Sequence, residues 1–139
     1  MTQKKCADLV QQNYQARLKD IKQAYQKNDN EKNIEQGDYN NFDLIEWLSE
    51  YGLSWGYVLP NTFDNQSEGY YRWQLSWGGP SDEFRIFTDN NKNIQSVEYW
   101  YLDWFDGASI EIDDYQVIEM IKWQLELDKF PYEYEDEVA

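Results

Sequence analysis

The feature that most constrains the fold is an alternation of apolar and polar residues with a period of two. In YYRWQLSW, residues 70–77, the apolar positions Tyr71, Trp73, Leu75 and Trp77 are separated by polar side chains. Successive side chains of a β-strand point to opposite faces, so this pattern predicts a strand that buries one face. An aromatic set of this size requires a large partner surface, which helices packed on the sheet would supply.

Further strand patterns follow, separated by short links rich in turn residues. The runs EFRIFT, IQSVEYWYLDW and ASIEID continue the β pattern, and SWGYVLP predicts an additional edge strand that Pro60 would end. The links GGPSD, DNNKN and FDGA are as short as antiparallel hairpins require. Because GGPSD leads into a strand and the acids Asp82 and Glu83 would repel phosphate, it predicts a turn and not a phosphate-binding loop.

Helical periodicity brackets the predicted sheet, with apolar residues recurring every three or four positions. The predicted order is helix 3–27, loop 28–40, helix 41–51, sheet 54–112, helix 114–129 and acidic tail 132–139. Asp113 and Asp114 are predicted to cap the start of the last helix. This order predicts one α+β domain over residues 1–131. Its antiparallel sheet would have about four to five strands, with the N-terminal helices and the C-terminal helix packed on one face.

The absence of histidine excludes most catalytic and metal chemistry. It removes the usual general base at neutral pH and the commonest metal ligand, and one cysteine cannot complete a zinc site. Cys6 is predicted to be a partly buried structural thiol. Asp103 and Asp106, with Glu111, could hold a hard cation or form an acid–base pair. However, the calcium-loop spacing is missing, and Asp106-Gly107 is a favoured turn dipeptide. We therefore predict a protein that is not an enzyme and has no cofactor or metal.

The charge of the chain is strongly and unevenly negative. Twelve basic residues face 27 acidic ones, for a net charge of −15; residues 1–28 carry +4 and residues 29–139 carry −19. Such a field repels nucleic acid and anionic lipid and attracts basic protein surfaces, although a highly acidic surface can also serve solubility alone. The lack of an apolar signal or membrane segment and the single cysteine predict a cytoplasmic protein with neither membrane nor direct nucleic-acid partners.

Candidate partner-binding residues follow from this charge and from VEYWYLDWF, which is aromatic on both faces of its predicted strand. Tyr99 and Tyr101 are predicted as exposed interface anchors. The predicted binding carboxylates cluster at hairpins and strands: Asp82, Glu83, Asp89, Glu98, Asp103, Asp106, Glu111, Asp113 and Asp114. They would contact a basic protein surface, and the oligomeric state is left open.

The stretches SWGGPSDEF and WFDG within residues 70–108, together with CADLVQQNYQARL near the N-terminus, resemble small acidic proteins of bacterial plasmids, prophages and other mobile elements. The resemblance brings no catalytic residues. It implies a setting in which accessory proteins include anti-restriction and anti-CRISPR inhibitors, many of them acidic mimics of DNA.

The leading hypothesis is a non-enzymatic inhibitor that occupies the basic nucleic-acid channel of a bacterial defence nuclease. Duplex DNA presents one charge per roughly 1.7 Å, so 15 charges correspond to about 25 Å of duplex. Two alternatives stay open. The first is a toxin-immunity protein that blocks a basic toxin active site. The second is a carboxylate-based enzyme or a sugar-binding module that uses the aromatic residues as a stacking surface.

Overall fold

The computed structural model describes residues 5–32, 44–78, 80–103 and 106–127. Within these ranges the elements are, in order, α1 Cys6–Lys32, α2 Leu44–Glu50, β1 Ser54–Val58, β2 Tyr70–Ser76, β3 Ser81–Thr88, β4 Ile94–Asp103, β5 Asp106–Glu111 and α3 Tyr115–Leu127. The predicted α+β fold class is confirmed. No helix in the described part of the chain is both long and apolar enough to cross a membrane.

The five strands form one antiparallel sheet in the order β1-β2-β3-β4-β5, so each strand pairs with its neighbours in sequence. This is the meander that the short links predict. Every connection is local, and the register of β2, β3 and β4 is set by which residues each strand must bury.

The core lies between the three helices and one side of the sheet, here called the helix-covered face. Its centre is a row of fully buried aromatic residues, in which Trp73 pairs with Phe84 and Phe84 pairs with Tyr99. Their ring centroids are 5.5 and 5.3 Å apart. Ile21 of α1 and Ile121 of α3 belong to the same buried cluster. Such aromatic pairs contribute about 0.5–1.5 kcal/mol each beyond the area that they bury.

Carboxylates fix the beginnings of two helices. The Asp106 carboxylate accepts a hydrogen bond of 2.8 Å from the backbone N–H of Cys6, 100 residues away, and thereby joins the start of α1 to β5. Asp114 accepts hydrogen bonds from the backbone N–H groups of Gln116 and Val117 at the start of α3. Negative charge at these positions satisfies free N–H groups and complements the helix dipole. The predicted cap at Asp114 is confirmed.

Three local predictions differ from the structure. First, α1 continues to Lys32, so the predicted loop is helical over 28–32; residues 33–43 and the predicted tail lie outside the described residues. Second, Asp82 belongs to β3 and not to the preceding turn. Third, Asp106 and Gly107 are strand residues, so the predicted turn at this dipeptide is wrong. A β-carbon at Gly107 would lie 2.8 Å from the Leu102 side chain, so packing explains the glycine.

Candidate functional site

The strand register places a row of charged residues on the other side of the sheet, here called the cavity face. Arg72 of β2 lies opposite Arg85 of β3, Arg85 lies opposite Glu98 of β4, and Glu98 lies opposite Glu111 of β5. The row therefore runs from two positive residues to two negative ones. Directly opposed like charges destabilise a sheet, so both ends of the row call for compensating groups.

Arg85 lies at the centre of this face between two aromatic rings. Its guanidinium carbon is 4.0 Å from the centroid of the Trp100 ring and 5.0 Å from that of Tyr70. Its Nε donates a hydrogen bond of 2.7 Å to Glu83, whose carboxylate is almost fully buried. A guanidinium stacked on rings and held by one carboxylate has a fixed orientation, because each contact removes rotational freedom.

These residues form the floor of a cavity of about 680 Å³. The loop that follows β1 forms one wall, and Gln66 holds that wall together. The Gln66 side-chain oxygen accepts hydrogen bonds from the backbone N–H groups of Thr62 and Phe63, while its NH₂ group donates to the Leu59 and Glu68 carbonyls. The cavity wall is therefore ordered by internal hydrogen bonds, as in preformed ligand sites.

Two polar groups on the cavity floor have no partner among the residues that the structure describes. The Tyr70 hydroxyl is buried and makes no hydrogen bond. Among the residues that the structure describes, no carboxylate lies within ion-pair distance of Arg72. Burial raises the pKa of Tyr70, so its hydroxyl remains a hydrogen-bond donor at neutral pH. The floor thus presents donors without acceptors, which is uncommon for buried polar groups.

A second candidate region is the hairpin of β4 and β5 with the residues that follow it. Residues 94–114, here called the acidic hairpin, contain six acidic residues and no basic ones: Glu98, Asp103, Asp106, Glu111, Asp113 and Asp114. All six were predicted as partner-binding residues, and all are at least partly exposed. These candidates lie at the β4–β5 side of the sheet, with Glu98 and Glu111 on the cavity face and Asp103 and Asp106 on the opposite face.

Three of these six carboxylates have structural contacts. Asp106 caps α1, and Asp114 caps α3 and also forms an ion pair of 3.2 Å with Lys22. Glu98 accepts a hydrogen bond of 2.9 Å from the indole N–H of Trp100. The remaining carboxylates, those of Asp103, Glu111 and Asp113, make no hydrogen bond or ion pair with any residue that the structure describes. Only these three are free for a partner without loss of a fold contact.

Four predicted interface residues are buried, so the prediction that they are exposed is wrong. Asp82 and Glu83 are 4% and 2% exposed, and Tyr99 and Tyr101 are 0% and 8% exposed. The two tyrosines lie on the helix-covered face, where α1 packs. The prediction placed them correctly on the same face of β4, but it chose the wrong face as the buried one. Each acid has an arginine partner.

Asp82 is the centre of a hydrogen-bonded network within the core. Arg17 of α1 donates to both carboxylate oxygens, with Nε–O and Nη2–O distances of 2.7 and 3.0 Å. The Tyr99 hydroxyl donates at 2.6 Å, and Ser76 donates as well. Burial alone would raise the pKa of Asp82, but the hydrogen bonds from Arg17, Ser76 and Tyr99 outweigh it and hold this pKa below its usual range. The same carboxylate, together with burial, raises the pKa of Tyr99.

Asp89 keeps its exposure but has a local role. Its carboxylate accepts hydrogen bonds from the backbone N–H groups of Asn91 and Asn93 in the turn between β3 and β4. The Asn93 side-chain amide also donates to this carboxylate at 3.0 Å, and this bond, followed by the two backbone bonds, lowers the pKa of Asp89. Aspartates commonly stabilise turns in this way, so its position is explained without a partner.

Sequence reasoning missed the cavity residues Tyr70, Arg72 and Arg85. The signal for Tyr70 and Arg72 was present in YYRWQLSW and that for Arg85 in EFRIFT, because the residues that alternate with the core residues form a second, regularly spaced set. What the sequence does not give is the register between neighbouring strands. Only the register shows that Arg72 and Arg85 lie side by side.

Asp103 and Asp106 are directly opposed across the hairpin, as a carboxylate pair would require. Among the described residues, however, no group of three or more acids or cysteines is arranged to hold a metal ion. No protein-family model, no curated protein and no solved structure matches this chain.

Proposed function

We propose that this protein is a non-enzymatic inhibitor that binds a basic protein surface through its acidic hairpin. The observation that carries the proposal is the set of six acids without a base in residues 94–114, three of which have no fold contact. Carboxylates that lie close together repel one another, and this repulsion is relieved when cations bind between them. The basic partner would supply those cations.

The size of the negative charge fits a surface that binds nucleic acid. The net charge of −15 corresponds to about 25 Å of duplex DNA, at roughly one charge per 1.7 Å. The partner we propose is the nucleic-acid channel of a defence nuclease, in which the exposed carboxylates of the hairpin replace part of the phosphate backbone.

An edge strand rich in acids also resists edge-to-edge aggregation, which would explain the charge without any partner. The two explanations predict different results when charge is reversed. Loss of a protective charge would produce self-association, whereas loss of a binding charge would weaken inhibition and leave the protein monodisperse. Sedimentation velocity separates the two cases.

The test is a competition titration with purified restriction enzymes and CRISPR effector complexes, each bound to labelled duplex. We expect the wild-type protein to displace the duplex from its target, and displacement to weaken as salt rises. Simultaneous binding of inhibitor and duplex, with neither affinity reduced, would contradict channel occupation.

The matched variants reverse the same amount of charge at two places. The hairpin variant carries Asp103→Lys, Glu111→Lys and Asp113→Lys, and we expect it to lose on the order of 100-fold in apparent affinity, because three attractive contacts become repulsive. The control carries Glu50→Lys, Asp64→Lys and Glu68→Lys, which are exposed acids outside the hairpin. Equal losses in both variants would show that net charge, and not the hairpin, determines binding.

A further inference from the structure

We propose that the cavity on the cavity face binds a small organic monocarboxylate with an apolar or aromatic body. This inference does not rest on the inhibitor proposal, because the cavity and the three free carboxylates of the acidic hairpin involve different residues. It is carried by the unpaired donors of the cavity floor, by the kind of charge around them and by the shape of the walls.

The donors converge because of the register between β2 and β3. Arg72 and Arg85 are directly opposed, and Tyr70 lies beside the Arg85 guanidinium. Arg85 uses its Nε for Glu83, and in the described part of the chain its two terminal nitrogens make no hydrogen bond. Two adjacent guanidinium groups and a buried hydroxyl without acceptors would all be satisfied by one oxyanion between them.

The surrounding acids favour a carboxylate over a phosphate. Asp64, Glu68, Glu83 and Glu98 also line the cavity. Glu83 and Glu98 are bonded to Arg85 and to the Trp100 indole, and Asp64 and Glu68 are exposed on the wall. Four carboxylates and two arginines give the lining a negative formal charge, which repels a dianionic phosphate about twice as strongly as a monoanion. A monoanionic carboxylate carries half that charge and still matches the planar donor fork of an arginine.

The walls suit an apolar body attached to this carboxylate. Trp100, Phe87 and Leu102 line the cavity, and two large apolar side chains, Phe63 and Trp77, remain 49% and 76% exposed at it. The cavity volume of about 680 Å³ lies in the usual range for small-molecule sites, roughly 300–1,000 Å³. The ordered Gln66 loop means that the site exists before a ligand arrives.

The experiment is a titration followed by NMR of ¹⁵N-labelled full-length protein, observing the indole N–H signals. The probes are benzoate and indole-3-acetate, their neutral amides benzamide and indole-3-acetamide, and phenyl phosphate. We expect saturable shifts of the Trp100 indole signal with both carboxylates. Each amide should bind at least about 10-fold more weakly, since hydrogen bonds to a charged acceptor are roughly twice as strong as neutral ones. Phenyl phosphate should also bind at least about 10-fold more weakly, because the carboxylates that line the cavity repel its second negative charge.

Two substitutions with matched controls locate the site. Arg72→Gln should weaken benzoate binding about 10- to 100-fold, as removal of a charged hydrogen-bond partner does. Lys122→Gln removes the same charge from an exposed position on α3 and should have no effect. Tyr70→Phe should weaken binding about 5- to 10-fold, while Tyr115→Phe, at an exposed tyrosine, should not.

Three results would overturn the inference. The first is that neither carboxylate shifts the Trp100 signal. The second is that the amides bind as tightly as the carboxylates, which would show an apolar pocket without anion recognition. The third is that Lys122→Gln weakens binding as much as Arg72→Gln, which would show a response to net charge and not to the cavity. The indole signals also report whether each variant is folded. If Arg72→Gln is unfolded, Arg72→Lys replaces it in the titration.

Discussion

Asp82 and Glu83 are neighbours in sequence, lie on opposite faces of the sheet and each pair with an arginine. Asp82 points into the core, where Arg17 reaches it from 65 residues away and Tyr99 and Ser76 complete its hydrogen bonds. Glu83 lies under the cavity, and its arginine is Arg85, two residues along the same strand. One pair joins a helix to the sheet, and the other is local to β3.

The difference shows what each arginine does in the fold. All three nitrogens of the Arg17 guanidinium are used. Nε and Nη2 donate to Asp82, and Nη1 donates to the Tyr51 hydroxyl at 3.1 Å. Arg85 is held by Glu83 through Nε alone and keeps its terminal nitrogens for the cavity. A network whose members are all satisfied makes a structure more specific, whereas a network with unused donors is a place where a ligand can bind.

The largest expected effect is a difference in the free energy of unfolding when the carboxylate of each arginine pair is removed. Asp82→Asn should lower the free energy of unfolding by about 2–4 kcal/mol, because it leaves the Arg17 charge without its carboxylate in a largely buried setting. Glu83→Gln should cost only about 1–2 kcal/mol, since one hydrogen bond is lost and Arg85 keeps its two rings. Urea unfolding followed by tryptophan fluorescence measures both.

The contrast depends on the order of the two effects. If Glu83→Gln proves as destabilising as Asp82→Asn, the Arg85 pair is a structural element of the same weight as the core network. The view of the cavity floor as a set of available donors would then be wrong. The double variant, compared with the sum of the single ones, shows whether the two pairs act independently.

The pH dependence of stability provides the next largest effect. Since the pKa of Asp82 is lower in the folded protein, its contribution is fully present above the unfolded value of about 3.9 and is lost as pH falls through the folded value. The stability difference between wild type and Asp82→Asn should therefore be constant from about pH 5 to 8 and shrink below about pH 4. Titration of the other acids is common to both proteins and cancels. A difference that stays constant down to pH 2 would contradict the assigned network.

The sequence predicted the fold class well because that information is local. The period-two pattern of Tyr71, Trp73, Leu75 and Trp77 identified the buried face of β2. The first three residues are buried, whereas Trp77 lies beyond the end of the strand and is 76% exposed. The short links predicted a meander, and the meander was observed. Where a turn or a cap depends on residues a few positions apart, as at Asp114, prediction also succeeded.

The sequence failed where the answer depends on a distant partner. Asp82 looks like an exposed acid beside a turn, and only the position of Arg17 on α1 explains its burial. Asp106 looks like half of a turn dipeptide, but it caps α1 from 100 residues away. Tyr99 and Tyr101 were correctly placed on one face of β4, yet a single strand does not reveal which of two aromatic faces the helices cover.

The smallest expected effect compares two tyrosines that lie on the two faces of the sheet and are both almost fully buried. Tyr99→Phe removes the hydroxyl that donates to Asp82, so we expect a loss of about 1–2 kcal/mol. Tyr70→Phe removes a buried hydroxyl that has no partner, so stability should stay unchanged or rise by up to about 1 kcal/mol. Both substitutions keep the ring and its packing, so each difference in the urea midpoint reports the hydroxyl alone. If Tyr70→Phe instead costs as much as Tyr99→Phe, the Tyr70 hydroxyl already has an acceptor in the folded protein, and the cavity floor has one donor fewer to offer. If it is neutral for stability but weakens benzoate binding, the hydroxyl serves the cavity and not the fold.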